Sequence, residues 1–436
     1  MTRSCLNSWH TTNTAAPMAG KRDHSRQEWV MERQRSMIGR AAKEGLSNLV
    51  QFALQLDEVQ EVDTQQLVAP KDREDAPLIT ACLGGHLDVV RNLVEKCKAP
   101  LNCRMDAKLK ERDFKGVTPL WAAAYSGNLE VVKYLVEKGA PLDETADRKV
   151  TPLRVAAYKG HLPVARYLVE KGADINSVNF AGSSVLMCAC YGENTDVVRF
   201  LLEHGADVNY TVPEMGTCQS HWELTGENAL HNCADNGNVE IARLLVKHGA
   251  IITHKMAGET ALVMAAYNGH DDLVNFLVET PDCSRDDKAD ALELLGTYYL
   301  FLGSEKADPE KCLSLWKRAM EERTRPGKPE ARKRGERSPI AVYQNAVEIQ
   351  TPGELRKLQA RQNPDELRTQ ALLIRERVLG PTHDETIFAI RFAAALYSDE
   401  DKLERALELL LYALSEAQPF RKERLRVYCL IVSIFC

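Results

Sequence analysis

The residues in this sequence whose types and spacing suggest chemistry are sulfur and imidazole. His231 and Cys233 stand two apart in "ALHNCADNG", and Cys188 and Cys190 form a CxC in "SVLMCACYG". A thiol beside an imidazole can be activated as a nucleophile or share a metal. The CxC falls in a predicted helix, where residues two apart face different directions, so Cys188 reads as a small buried hydrophobe. For Cys233, two readings stay open: a reactive or metal-sharing thiol on a concave surface, or a neutral surface thiol. The sequence contains no GxSxG, HExxH, P-loop or GxGxxG in the context each needs. We therefore expect no catalytic residues, no metal and no cofactor; the chain reads as a binding protein, not an enzyme.

Three more histidines, His86, His161 and His270, each follow a glycine at a turn. Their recurrence points to hydrogen bonds that brace those turns, not to catalysis.

The elements that position these residues repeat. The stretch "VTPLRVAAYKGHLPVARYLVEKGADIN" from Val150 echoes "VTPLWAAAYSGNLEVVKYLVEKGA" from Val117, with further copies beginning near Ala76, Ser184, Asn228 and Thr260. The leucine that opens each copy falls at Leu78, Leu120, Leu153, Leu186, Leu230 and Leu262, giving steps of 42, 33, 33, 44 and 32 residues by subtraction. Thr151 is suited to cap a helix, and Pro152 sits where its missing N–H costs nothing. Ala156 and Ala157 let paired helices approach, Gly160 turns the chain, and Gly172 ends the second helix in a left-handed conformation. Val164, Leu168 and Val169 recur at helical spacing on the buried face. A repeat near 33 residues opening on Thr-Pro-Leu resembles the ankyrin repeat. One such unit cannot bury its apolar face alone, so stacked copies share the core. "IGRAAKEGLSNLVQFAL" from Ile38 reads as a degenerate cap.

The two long steps carry insertions, "CRMDAKLKERDFKG" at about 103–115 and "TVPEMGTCQSHWELTG" at about 211–225. Insertions on one face of a solenoid are usual recognition elements, and His221 and Trp222 are expected to reach over the groove. Trp121, Tyr125, Arg154, Tyr158, Lys159, Tyr191 and His231 are expected to line that groove. Aromatics interleaved with charge supply most binding energy at protein interfaces.

After Thr280 the period breaks. "ADALELLGTYYLFLG" and "PEKCLSLWKRAMEE" predict two amphipathic helices, and Leu295, Gly296, Tyr299 and Ala319 resemble a tetratricopeptide-repeat (TPR) skeleton. "ERTRPGKPEARKRGERSPI", residues 322–340, predicts a basic disordered loop. The expected fold is thus all-α: an ankyrin-repeat solenoid with short β-hairpin fingers, followed by a TPR-like helical array. Residues 1–33 are expected to be a disordered N-terminal extension, 34–280 an ankyrin domain of a cap plus six repeats, and 286–436 the TPR-like region. The apolar ending "VYCLIVSIFC" predicts that this last region is truncated.

Composition sets outer bounds. The 436 residues are 44% hydrophobic with a formal net charge of −6, which excludes a polycation that binds nucleic acid. No apolar run approaches the ~20 residues of a membrane span. Twelve cysteines without a CxxC and a polar start without an apolar core predict free thiols and a cytoplasmic or nuclear location. A transit peptide is the alternative at the N-terminus, disfavoured because no amphipathic helix is legible there.

Six ankyrin units, two inserted hairpins, "ADALELLG" and "QALLIRERVLGPTHDET" together resemble the Fem (feminization) family from about Glu32 to about Gln418. The resemblance implies a substrate-recognition subunit of a cullin–RING ubiquitin ligase, whose ankyrin groove captures the C-terminal tail of a protein for degradation. It implies an elongin adaptor and a cullin scaffold as partners, docked through a box that is not found before Cys436. The family's cysteine in the "ALHxC" string matches at Cys233. The acidic residues with which the family holds a terminal arginine fall here at Lys110 and Lys159, and a small polar neighbour at Val150. Like charges facing each other in an interface can cost several kcal/mol. The resemblance therefore implies a receptor that does not use the arginine pocket in its usual form, with a preference for acidic or neutral tail ends. Substrate identity and oligomeric state are not legible.

Overall fold

Each repeat begins where a side chain replaces a missing backbone partner. The Thr118 hydroxyl accepts from the Trp121 N–H at 3.3 Å, and Thr151 accepts from the Arg154 N–H at 3.2 Å. Ser184 and Thr260 do the same for Met187 and Val263, each at 3.2 Å. Pro119 and Pro152 then occupy the first helical turn. Gly127 and Gly160 end their helices at φ of 75° and 77°, left-handed angles that glycine adopts at little cost. At Gly127 the missing side chain is required twice over: a Cβ there would lie 2.6 Å from the His161 ring. That ring is held by an Nε2 contact of 3.0 Å to the Tyr125 carbonyl, and His270 contacts the Asp235 carbonyl at 2.9 Å.

The computed structural model describes residues 22–55, 68, 76–109, 113–213, 226–252, 259–281, 283–302, 306–324 and 341–416. They divide into two units, Met1–Phe180 and Ala181–Cys436.

In the first unit, α1 (Arg22–Glu44), α3 (Pro77–Gly84), α5 (Pro119–Ser126) and α7 (Pro152–Lys159) pack in a row. Behind them run α2 (Ser47–Leu54), α4 (Leu87–Glu95), α6 (Leu129–Glu137) and α8 (Leu162–Glu170). Leu78, Leu120 and Leu153 fill the shared core, and Ala122, Ala123 and Ala124 are wholly buried where α5 meets its neighbours. Val164 and Leu168 are buried as expected, whereas Val169 is only half-buried. Between α4 and α5 an antiparallel hairpin forms from β1 (Met105–Lys108) and β2 (Asp113–Val117). Its register pairs Ala107 with Phe114 and Lys108 with Asp113, with a bulge between Met105 and Ala107. A short 3-10 turn at Asp147–Lys149 packs beside β2.

In the second unit, α9 (Val185–Tyr191), α11 (Ala229–Asn236) and α13 (Ala261–Tyr267) form one row. The second row is α10 (Thr195–Glu203), α12 (Val239–Lys247) and α14 (Asp271–Val278). Helix α13 packs against α15 (Arg285–Leu300), which pairs with α16 (Pro309–Thr324). The pairing is close because residue 296 is glycine: a Cβ there would lie 2.6 Å from the indole nitrogen of Trp316. That indole donates to the Glu293 carbonyl at 2.9 Å. Helices α17 (Pro352–Arg361), α18 (Pro364–Leu379), α19 (Asp384–Asp399) and α20 (Leu403–Glu416) complete the array.

Two sequence expectations are corrected. Residues 22–33 belong to helix α1, not to a disordered extension. The stripe that holds the helix starts early, since Val30, Gln34, Ile38, Ala41 and Ala42 are buried and the Gln34 amide donates to the Ala53 carbonyl. At the basic loop, residues 322–324 are the last turn of α16, and Arg323 is a buried partner of Asp290 (2.5 Å) and Glu293 (2.9 Å). Opposite charges on a packed helix pair draw it inward. Residues 1–21, 325–340 and 417–436, and the second insertion at 214–225 with His221 and Trp222, lie outside the described residues.

Candidate functional site

In the first unit the side chains with chemical character gather where the hairpin meets α5 and α7. Phe114 on β2 rests against Trp121, with ring centroids 4.9 Å apart. One helical turn on, Tyr125 stacks on the same indole at 5.4 Å and 13°. Residues four apart share a helix face, so α5 presents Trp121 and Tyr125 as one slab with Phe114 at its edge. From α7, the Lys159 ammonium lies 4.6 Å from the Tyr125 centroid and 5.6 Å from that of Tyr158. Such a cation over an aromatic face contributes about 0.5–1 kcal/mol at exposed sites. Tyr158 is 36% exposed and Val150 is half-buried, bonded through its carbonyl to the Ala146 N–H at 3.0 Å. Lys110 lies outside the described residues.

The turn before α7 is strained. Arg148 and Lys149 both adopt left-handed φ angles, 60° and 58°, without being glycine. Each such residue costs on the order of 1–3 kcal/mol, and strain of this kind clusters at functional sites. The Asp147 carboxylate caps the Arg148 N–H at 2.9 Å, and the Arg148 carbonyl accepts from the Phe180 N–H.

In the second unit Tyr191 is 56% exposed at the end of α9, its carbonyl accepting from the Asn236 amide at 3.1 Å. His231 is buried, with Nδ1 2.7 Å from Asn228 Oδ1 in a reciprocal cap of α11. Cys233 is buried too and lies against Cys190, whose thiol is pushed up by burial and by its contact with Cys233. Tyr267 reaches Glu259 through its hydroxyl at 3.4 Å, and His383 meets the other oxygen of that carboxylate at 2.6 Å. Burial, then the Glu259 charge, raises the Tyr267 hydroxyl well above its usual value. Among the described residues no group of three or more His, Cys, Asp or Glu is arranged to hold a metal, and no helix is long and apolar enough to cross a membrane.

Comparison with known proteins sets these repeats in a family. The ankyrin-repeat profile matches three times, over residues 38–146, 142–212 and 213–287. The chain is 42% identical over 372 residues to the Drosophila melanogaster protein fem-1 homolog CG6966, which covers 85% of this chain and 53% of that protein. The chain belongs to the fem-1 family of ankyrin-repeat proteins. It is also 40% identical over 161 residues to Xenopus laevis fem-1 homolog C, covering 37% of this chain and 25% of that one. With human fem-1 homolog A it shares 33% identity over 261 residues, 47% of this chain and 38% of that one. The chain thus spans about half the length of the fly protein. Among solved structures, the human ASB11 ankyrin repeat domain aligns over 56% of this chain and 99% of its own, with 25% identity and a TM-score of 0.44.

For this fem-1 family chain the structure relocates part of the expected contact surface. Trp121, Arg154 and His231 each stand three residues after a helix cap, and all three are buried, as are Met187 and Val263 at the same register. In the first unit Phe114 covers the Trp121 indole, and in the second the His231 ring turns back to its own cap, so neither is a contact residue. Cys233 is a core thiol and not a surface one. Seven residues after each cap the side chains are less buried: Tyr125 and Tyr158 in the first unit, and Tyr191 and Asp235 in the second, with Tyr267 at the same offset but its hydroxyl turned in toward Glu259. Sequence reasoning missed Phe114 and Tyr267. The second was recoverable from the seven-residue offset shared with the other tyrosines; the first was not, because its contact depends on the hairpin register.

Proposed function

We propose that this protein is a substrate-recognition subunit of a cullin–RING ubiquitin ligase and that its ankyrin repeats capture the C-terminal tail of another polypeptide. Membership of the fem-1 family supports the reading, and the resemblance in the sequence carries the ligase role with it. The observation that bears most weight is the pair Tyr125 and Tyr158 beside Lys159 in the first unit, a surface made of the residue types that dominate protein interfaces. The mechanism is binding and positioning. The tail is held on the repeats while a recruited E2 enzyme transfers ubiquitin, and the gain is in effective concentration. An elongin adaptor and a cullin scaffold are the proposed ligase partners, and the proposed location is the cytoplasm or the nucleus.

The test is co-purification of the chain from cells with and without proteasome inhibition. Proteins that accumulate on the chain under inhibition, together with recovered elongin and cullin, support the reading. Stable partners whose amounts ignore inhibition, with neither ligase component present, would instead make the chain an ankyrin–TPR scaffold.

A further inference from the structure

Helix α20 is apolar around more of its circumference than the described residues cover. Ala406, Leu409, Leu410 and Ala413 are wholly buried, and the Tyr412 hydroxyl reaches Glu376 at 2.9 Å. On the adjoining flank Leu403 is 49% exposed and Leu411 52%, with Leu407 and Leu414 half-buried in line with them. Spacings of four, four and three residues put these leucines in one stripe. Glu404, Glu408 and Ser415 are exposed on the remaining side, which is the solvent face of the helix. At ~100° per residue the apolar arc covers about 200°, well beyond the ~100° stripe of a surface helix. The stripe is also small. From Leu403 to Leu414 it runs about 17 Å at ~1.5 Å per residue and is about 10 Å wide. That is ~170 Å², against the ~800 Å² that each partner of a stable interface buries. A face of this size suits an occupant tethered beside it, because effective concentration then stands in for area.

The sequence supplies such an occupant in "QPFRKERLRVYCLIVSIFC" from Gln418, which follows Glu416 of α20 almost at once. Pro419 is a residue that a helix does not run through without a kink, so it marks a place to turn. Beyond it Leu425, Tyr428, Val432 and Phe435 recur at steps of three, four and three, an apolar pattern of helical period. At ~1.5 Å per residue they span about 15 Å, close to the length of the leucine stripe. Arg421, Lys422, Arg424 and Arg426 come before most of these apolar residues. A segment running back along α20 sets those cations beside Glu416 and the negative end of the helix dipole. We propose that residues 420–436 fold back along α20 and cover Leu403, Leu407, Leu411 and Leu414. The chain thereby withholds a leucine face from other molecules.

Cys429 is the reporter for the test. Its maleimide labelling is followed on the full chain by peptide mass spectrometry. In the parent, Cys429 labels at least about tenfold more slowly than in the denatured chain, because a covered thiol reacts only when its segment opens. Leu411→Glu and, from the other side of the contact, Val432→Glu each speed the labelling about tenfold. Glu404→Gln, on the solvent face, leaves it unchanged. Leu411 is more than half exposed, so its variants keep the far-ultraviolet circular dichroism of the parent, and Leu411→Ser gives a smaller increase in the same direction. Labelling of Cys429 in the parent at the denatured rate, or rates that ignore Leu411 and Val432, overturns the proposal. Protection that appears only as the chain is concentrated, with a doubled mass in light scattering, also overturns it and assigns the stripe to a second copy.

Discussion

The Lys159 ammonium stands 4.6 Å over the Tyr125 ring, and Tyr125 in turn lies flat on the buried indole of Trp121. The outward surface is therefore built in layers: a core aromatic, a half-exposed one, and a charge on top. Tyr158 contributes to the upper layer from the next helix and is anchored less deeply. Tyr158→Ala should lower affinity for a captured tail about tenfold, the scale of an interface hot spot. The melting temperature should barely move. A binding isotherm and a thermal scan on the same preparation check this, and a large drop in melting temperature would show that Tyr158 is a packing residue.

Gly127 makes the opposite kind of prediction. Its φ is 75° and a Cβ would meet His161 at 2.6 Å, so Gly127→Ala must displace the ring that contacts the Tyr125 carbonyl. A loss of about 1–3 kcal/mol is expected from backbone strain and the displaced ring together. Chemical denaturation of the variant measures it. Gly139, also left-handed but with nothing within 4 Å of its Cβ position, should lose less when made alanine.

Helices α15, α16 and α18 share a buried ionic cluster. Arg377 holds Asp290 at 2.7 Å and Glu348 at 2.9 Å, and it also contacts Glu293, while Arg323 holds the same Asp290 and Glu293. Removing one partner leaves carboxylates buried with half their counter-charge. Arg377→Ala should therefore cost about 3–5 kcal/mol, and Asp290→Asn less, because it removes a charge from a site with two arginines. Chemical denaturation of each variant followed by far-ultraviolet circular dichroism measures the loss.

Alkaline pH should weaken the fold. Burial pushes the thiol of Cys103 up to about 12, that of Cys283 up to about 12 and that of Cys97 up to about 11, from an ordinary 9.0. Below pH 9 both folded and unfolded chains keep these protons, so the contribution to stability is constant. Between about 9 and 12 the unfolded chain releases protons that the folded chain retains, and stability falls as pH rises through that window. Thermal scans from pH 7 to 11 under reducing conditions should show the decline, and variants with Cys103→Ala or Cys283→Ala should show a shallower one. At neutral pH these thiols should resist maleimide until the chain unfolds.

Much of the architecture was legible because local rules state it. The Thr-Pro-Leu opening, the paired alanines and the turn glycine each answer a requirement inside a few residues, and all of them recur where the helices form. The acidic and basic residues were less legible. Arg323 reads as part of a basic loop by composition, yet it lies one helical turn too early and faces two carboxylates 30 and 33 residues away. The start of α1 was hidden for a related reason: its buried stripe is polar at Gln34, whose partner is the Ala53 carbonyl.

For the surface, the sequence alone determined that the chain repeats, that it belongs with ankyrin proteins, and that tyrosines and cations recur at the ends of first helices. Helical period and capping chemistry act over a few residues, so a one-dimensional reading reaches them. Only the tertiary structure decided which of those residues face outward. Trp121, Arg154 and His231 share the register of the expected contact row and are buried, while Tyr158 and Tyr191, four residues further along their helices, are exposed. That choice depends on where the preceding finger and the neighbouring repeat come to rest, and contacts between distant segments are set by packing, not by spacing.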